Sequence, residues 1–536
     1  MNLAEYVAQF LTVNGVSRIF GLPGGENVLF IEALRKAGLE FVLFHHEAAA
    51  GFAAGVTGQL TDRPGVCLST VGPGAVNLVA PAAAATLERS PMLAITAEID
   101  TAWYPRVRHM KIDLPRLFGG VVKDSFALNP ESVAADLEKA WNLALSPPMG
   151  AVHIAIAPDM ASSSVSGAPR LVARPLSSRL DDVALARAER YLLQAPQKMI
   201  ITGIGVEAGS AQAELVELAE AWGTPVAVTP KAKGHFPESH PLFAGCFSAY
   251  GDGPLRQYLA EVDVILGVGL DSVDFVTSTW ELDTPVVNIN LSGADDPALN
   301  PVIAVNGNLK KALIHLATRS ELSNPREANI HNQIADLRRA IALELYAADF
   351  SSSVGTVRVG ELIDGLRSAL PEDGTVTVDV GVFKLVFLQQ WKTDKPKSLF
   401  VANGLSAMGY ALPGALAIKL EEPDTKVVAV VGDGALLMYA GELATIARQR
   451  QPLVILVIVD DALSLIRLKQ LRNDVPVHGT EFDRVDFRSL ANSFGLEYGL
   501  IEGQESPSAV LGQALALNRP VLVEARIDRE EFNRFR

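Results

Sequence analysis

Short apolar runs recur along the chain, among them GVCLST, MLAITA, KMIITG, VVAVVG and LVILVIV, with longer alanine-rich stretches between them. An apolar run with no polar alternation suits a strand covered on both faces, and the stretches between suit helices. Strand and helix in regular alternation predict parallel α/β units. Two weaker stretches divide the pattern: Ala161–Leu180 is rich in Ser and Pro, and Thr318–Gln333 is polar without periodicity. The expectation is an α/β protein of three doubly wound parallel-sheet domains, over 1–165, 180–320 and 345–536.

The first and third blocks echo each other. Each carries a strand, Gly-x-Gly, a helix, x-Pro and a second strand; Gly72 to Pro91 spans 19 positions and Gly432 to Pro452 spans 20. A shared ancestral unit accounts for this, and chance similarity of βαβ units does so too. The copies differ at one telling place, where Pro73 stands in the first and Asp433 in the third. In the middle block KMIITGIGVEAG places Gly203, Gly205 and Gly209 after a strand, one residue off the dinucleotide spacing and without an acidic partner downstream. A tight turn in a Rossmann-like support domain is the favoured reading there.

Composition narrows the picture. A 49% hydrophobic chain with mean hydropathy +0.22 suits extensive buried sheet or large subunit interfaces, so an oligomer is expected. Net charge −15 argues against nucleic-acid binding, which relies on Lys and Arg neutralising phosphates. Any phosphate ligand then has to be held locally. The longest apolar strand, Leu453–Val459, is far too short to cross a membrane. MNLAEYVAQFLTVNGV reads as an amphipathic helix rather than a signal peptide, giving a cytoplasmic expectation. Cys67 and Cys246 lie in apolar contexts and read as packing residues.

Gly432-Asp433-Gly434 ends one apolar strand and Asp460-Asp461 ends the next. The glycines permit a sharp turn, so that Asp433 and a helix N-terminus face one anionic ligand. Bare carboxylates repel phosphate, and a divalent cation between them removes the conflict; Mg²⁺ takes oxygen ligands and shares itself with phosphate oxygens. Adjacent parallel strands would bring both carboxylates to one carboxyl edge.

These motifs resemble those of the thiamin-diphosphate enzymes of the acetohydroxyacid synthase, pyruvate oxidase and 2-oxoacid decarboxylase superfamily. The resemblance covers essentially the whole chain and implies a pyrimidine-binding domain, a central Rossmann-like domain and a diphosphate-binding domain. It further implies thiamin diphosphate and Mg²⁺ as cofactors, and a homodimer or homotetramer in which Glu47 of one subunit meets the diphosphate site of another. By it Asp433 and Asp460, 27 positions apart as in the family, are side-chain metal ligands, and Ala462 offers its carbonyl. Val459-Asp460 replaces the family's Asn-Asn, which adds charge at the metal. Gly432, Gly434 and Ala435 then flank the diphosphate.

FVLFHHEAAAGFAAG resembles the family's strand-end Arg-His-Glu segment, with His45 in place of Arg. Glu47 matches the glutamate that shares a proton with the aminopyrimidine ring and so promotes deprotonation of the thiazolium carbon. Taken alone, Glu47 is a first-turn helix acid favoured by the dipole. VANGLSAMGYALPGALA resembles the segment that bends the cofactor, with Met408 under the bend and the Ser406 carbonyl receiving the pyrimidine amino group. FGLPGGENV matches the segment beside the reacting carbon, where Gly25 replaces the polar residue common in decarboxylases.

The acceptor side departs most from the family. Met110 replaces a glutamine, with His109 beside it as a polar contact; Val382 and Phe383 replace Gln-His; and Ile466 lies where pyruvate decarboxylases carry a proton-handling acid. An apolar residue there suits a carboligase, which has to protect its reactive carbon from protonation. The leading expectation is decarboxylation of a 2-oxo acid followed by transfer of the acyl anion equivalent to a second carbonyl, acetolactate-synthase-like chemistry. A non-oxidative decarboxylase comes second and a flavin-dependent oxidase third, with no residue pattern arguing for FAD. A noncatalytic paralogue is the remaining alternative.

Overall fold

The computed structural model describes all residues except 62, 174–178, 249–250, 276–279, 281, 324–328, 346–352, 504 and 536. Both sequence stretches read as linkers lie partly outside the described residues. Among the described residues, three parallel sheets of six strands each make up the fold. The first contains β1 (Arg18–Gly21), β2 (Glu40–Leu43), β3 (Gly65–Ser69), β4 (Met92–Ala97), β5 (Ser125–Ala127) and β6 (Ala151–Ile156). The second contains β7 (Lys198–Thr202), β8 (Val226–Val228), β9 (Phe243–Cys246), β10 (Val264–Val268), β11 (Val286–Asn290) and β12 (Ile303–Asn306). The third contains β13 (Thr375–Val378), β14 (Leu399–Val401), β15 (Val427–Gly432), β16 (Val454–Val459), β17 (Glu497–Ile501) and β18 (Val521–Arg526).

The strand orders are β2-β1-β3-β4-β6-β5, β12-β11-β10-β7-β8-β9 and β14-β13-β15-β16-β18-β17. Counted from its own first strand, the first sheet therefore has the same order as the third. The two echoed sequence stretches occupy equivalent places, β3–β4 and β15–β16, each a parallel pair of neighbours. The middle sheet follows the Rossmann order, with its reversal between β7 and β10. Its glycine segment forms a tight turn and a short helix, Gly205–Ala208.

The strands are continuous apolar runs because helices cover both faces. β4, β6 and β16 are buried at every residue. The expected N-terminal helix runs from Leu3 to Val13, and both cysteines are buried. Among the described residues no helix is long and apolar enough to cross a membrane.

Two helices, Glu47–Leu60 and Ala411–Glu421, pack on each other between the first and third sheets. Both are rich in Ala and Gly, and both are buried over almost their whole length. Small residues let the backbones approach closely: a Cβ on Gly65 would stand 1.8 Å from the Ala54 carbonyl oxygen, and one on Gly58 2.0 Å from that of Pro91. The helix carrying Glu47 is thus seated on β3 by contacts that tolerate no side chain. Arg18 and Arg63 reach Glu421 across the same seam at 2.8 and 2.7 Å.

Gly65→Ala is expected to lower stability by about 2 kcal/mol or more, because the obstructing atom is backbone. Gly120→Ala, whose Cβ would enter open space, serves as the control. Denaturation midpoints of the two variants check this; equal midpoints would contradict the seating of the helix on β3.

Candidate active site

β15 and β16 run parallel, with Gly432 opposite Ile458, so Asp433 and Asp460 emerge at one edge. Asp433 opens the helix Asp433–Met438. One carboxylate oxygen accepts the Gly434 N–H at 2.7 Å; the other accepts the N–H groups of Asp461 at 2.8 Å and Asp460 at 3.3 Å. Asp433 therefore fixes the turn after the neighbouring strand. Asp460 accepts the Ala462 N–H at 3.2 Å and the Ser464 hydroxyl.

Burial raises the pKa of Asp433. It pushes Asp460 up to about 7, with the Asp433 charge adding to the effect. Two carboxylates so placed resist ionising together until a cation joins them. Asp461 lies in the left-handed region at φ 54°. It caps no helix, since the next helix is preceded by Leu463.

Phenylalanines wall the turn. A Cβ on Gly432 would meet the Phe383 ring at 3.3 Å, and one on Gly434 the Phe482 ring at 3.0 Å. Ala435 and Val382 are buried, whereas Ile466 is exposed on the helix Ser464–Arg472.

Beyond β14 the chain turns through Ser406, exposed at φ 54°, and half-buried Met408 to Gly409 at φ 85°. A Cβ on Gly409 would stand 2.1 Å from the Tyr439 ring. The loop's far end is held by Asp379, at the end of β13, whose buried carboxylate accepts N–H groups from Val380 at 2.8 Å, Gly409 at 2.9 Å and Ala411 at 3.3 Å.

At the first sheet's carboxyl edge Glu47 is the first residue of its helix and only 6% exposed. Asn77 donates to its carboxylate at 2.9 Å, and a Cβ on Gly74 would lie 3.1 Å from its other oxygen. His46 caps the helix by accepting the Ala48 N–H. The turn before Glu47 is held from the third block: the Glu442 carboxylate accepts the N–H groups of His45 and His46, at 3.1 and 3.0 Å, and the Thr445 hydroxyl.

Gly25 faces open space, and its neighbour Glu26 accepts from Thr70 at 2.8 Å. Met110, at φ 58°, lies against Gly72 of the Gly-Pro-Gly turn, and His109 is exposed. The predicted residues thus gather at two edges: Gly25, Glu47, His109 and Met110 at the first sheet, the rest at the third. Among the described residues no hydrogen bond or ion pair joins Glu47 to Asp433, Asp460, Ser406 or Met408.

Three family models match: the thiamine pyrophosphate enzyme N-terminal TPP binding domain over 1–115, the central domain over 185–316 and the C-terminal TPP binding domain over 379–525. The chain belongs to the thiamine pyrophosphate enzymes. Among relatives of this thiamine pyrophosphate enzyme, a probable acetolactate synthase large subunit of Methanocaldococcus jannaschii is 28% identical over 99% of this chain and 93% of its own. The acetolactate synthase isozyme 1 large subunit of Escherichia coli is 26% identical, with 98% and 94% covered. A putative thiamine pyrophosphate-containing protein, YdaP of Bacillus subtilis, is also 26% identical, with 98% and 92% covered.

A cavity of about 280 Å³ lies where the middle sheet reverses, lined by Gly205, His235 and side chains from the other blocks. Its cations Arg89, Lys231 and Lys397 each already face a carboxylate, of Asp271, Glu88 and Glu207 respectively.

Sequence reasoning passed over Asp379, Asn77 and Glu442. Asp379 was open to the rule that found Asp433, since it too ends an apolar strand; the other two lie on helices and carry no local signal.

Burial pushes the Asp379 carboxyl up to about 6 against donated N–H bonds that act the other way. The folded state then holds a proton that the unfolded chain releases near pH 4, so this residue makes stability fall as pH rises from about 4 to 6. Asp379→Asn is expected to remove that slope. Relative to the variant, wild type should lose up to about 3 kcal/mol between pH 4 and pH 7, read from denaturant titrations across the range. Parallel pH profiles for the two proteins would refute the assignment.

Proposed function

We propose that this thiamine pyrophosphate enzyme is an acetolactate-synthase-like carboligase. It uses thiamin diphosphate and Mg²⁺ to decarboxylate a 2-oxo acid and transfer the acyl anion equivalent to a second carbonyl compound. The observation that carries the proposal is the pair Asp433 and Asp460 on neighbouring strand ends, combined with a buried Glu47 at the equivalent sheet edge. Full-length similarity to acetolactate synthases supports the reaction class.

The donor set fits a diphosphate-bound cation. Among the described residues no group of three or more His, Cys, Asp or Glu side chains forms a metal cage. A cation at Asp433 and Asp460 therefore needs further oxygens, which the Ala462 carbonyl and a diphosphate supply, and Mg²⁺ favours such sharing. Gly432, Gly434 and Ala435 bring backbone close to the phosphates. Ser406 and Met408 serve the pyrimidine end, and Asn77 orients the Glu47 carboxylate that holds the ring proton.

Bound thiamin diphosphate supplies a carbon nucleophile that adds to the 2-oxo acid and holds the charge left when CO₂ departs. The chain's part is to decide what that carbon meets next. Ile466, Val382 and Phe383 offer no proton there, while His109 offers one polar contact beside Met110. That environment suits a carbonyl acceptor over a proton.

Incubation with a panel of 2-oxo acids, thiamin diphosphate and Mg²⁺, reading CO₂ and carbon–carbon-bonded products together, tests the reaction. Carboligation products are expected whenever an acceptor aldehyde or 2-oxo acid is present. Quantitative aldehyde release would make the protein a decarboxylase, and no CO₂ from any 2-oxo acid a noncatalytic relative.

Asp433→Ala is expected to weaken joint binding of thiamin diphosphate and Mg²⁺ by more than roughly 100-fold in calorimetry. Glu47→Gln should bind the pair within about threefold of wild type yet turn over about 10²- to 10⁴-fold more slowly, as loss of a proton-handling group predicts. Unchanged affinity in Asp433→Ala would remove the metal assignment.

The two edges are proposed to meet across a dimer. Large apolar side chains stand exposed beside both, including Val28 near Gly25 and Met438 and Phe482 near Asp433. Mixing the two inactive variants should restore about a quarter of the sites after free exchange of subunits. No recovery after verified exchange would place each site within one chain.

A further inference from the structure

The loop carrying Ser406 and Met408 is anchored at its far end by Asp379, within its own domain. Its near end is anchored differently. Glu88, which follows the helix Pro73–Leu87 of the first domain, is only 2% exposed. One of its carboxylate oxygens accepts the backbone N–H of Asn403 at 2.9 Å and of Gly404 at 2.7 Å. The other receives the Lys231 ammonium of the middle domain at 2.5 Å. A Cβ on Gly404 would stand 2.5 Å from the Leu87 carbonyl oxygen, so loop and helix end are in direct backbone contact.

Asn403 is fixed from two further sides. Lys384 donates to its side-chain oxygen at 3.2 Å and to the Ala402 carbonyl at 3.0 Å. The Asn403 amide donates to the Asp274 carbonyl of the middle domain. All three domains thus converge on residues 402–404, two positions before Ser406. A carboxylate accepting two consecutive N–H bonds sets the direction in which the chain leaves.

We propose that Glu88 is a positioning residue for thiamin diphosphate: its carboxylate holds the Asn403–Gly404 amides and so sets Ser406 and Met408 for the pyrimidine. This rests on the reading of Ser406 and Met408 given above. Lys231 balances the buried charge but does not itself aim the loop. The two roles are separable, because a buried ion pair can be replaced by apolar residues without loss of stability, whereas the loop amides cannot do without an acceptor.

The test compares Glu88→Met, Lys231→Met and the double variant with wild type. Thiamin diphosphate affinity is measured by calorimetry in saturating Mg²⁺, thermal stability by melting, and hydrogen exchange on the peptide spanning β14 and the loop. Lys231→Met keeps the carboxylate on the loop and should bind cofactor within about threefold of wild type, although it melts earlier. The double variant should regain stability relative to either single variant, yet bind cofactor about 10- to 100-fold more weakly, with faster exchange at 403–404.

Recovery of both stability and affinity in the double variant would overturn the proposal, leaving Glu88 as half of an ion pair. So would a loss of affinity in Lys231→Met as large as in Glu88→Met. Should the Met variants not fold, Glu88→Ser, whose hydroxyl is too short to reach the two amides, decides by hydrogen exchange: unchanged protection at 403–404 together with unchanged affinity overturns it. A wild-type protein that binds no thiamin diphosphate would instead bring down the cofactor reading, and this inference with it.

Discussion

The two alanine- and glycine-rich helices between the first and third sheets set the geometry on which everything else depends. Each is buried over almost its whole length, so neither has a polar face, and a Cβ on Gly414 of one would stand 3.0 Å from the Val56 side chain of the other. Glu47 begins one of them, and the loop of Ser406 and Met408 leads into the other. One close packing therefore fixes where both chemically loaded segments end up, and a shift of either helix would displace them together.

Around this frame, buried carboxylates organise loops more than they pair with cations. Asp379, Asp433, Glu442 and Glu88 each accept two or more backbone N–H bonds, most of them from residues distant in sequence. Such bonds stabilise a loop conformation that has no secondary structure of its own, while burial penalises the charge. An acidic chain gains from this arrangement, because carboxylates are the abundant group. It also means that positions reading as spare surface acids in the sequence are internal supports in the fold.

Much of the architecture was legible beforehand. Unbroken apolar runs such as Val454–Val459 announced parallel strands covered on both faces, and the two stretches that echo each other in sequence occupy equivalent places in two sheets of one order. The pair Asp433 and Asp460 was readable because strand ends in a parallel sheet share an edge. The supports were not: Asn77, Glu88 and Glu442 act on residues 30, 315 and 396 positions away, and no local period encodes such distances.

The first and third sheets share one strand order but differ at the equivalent turn, which carries Pro73 in the first and Asp433 in the third. Glu98 follows β4 as Asp460 follows β16, so the first sheet retains one acid of the pair and lacks the other. A lone carboxylate does not gather a divalent ion, and proline withdraws an N–H that a phosphate would seek. On the proposed function, that difference would tell thiamin diphosphate which way round to lie between two otherwise similar edges.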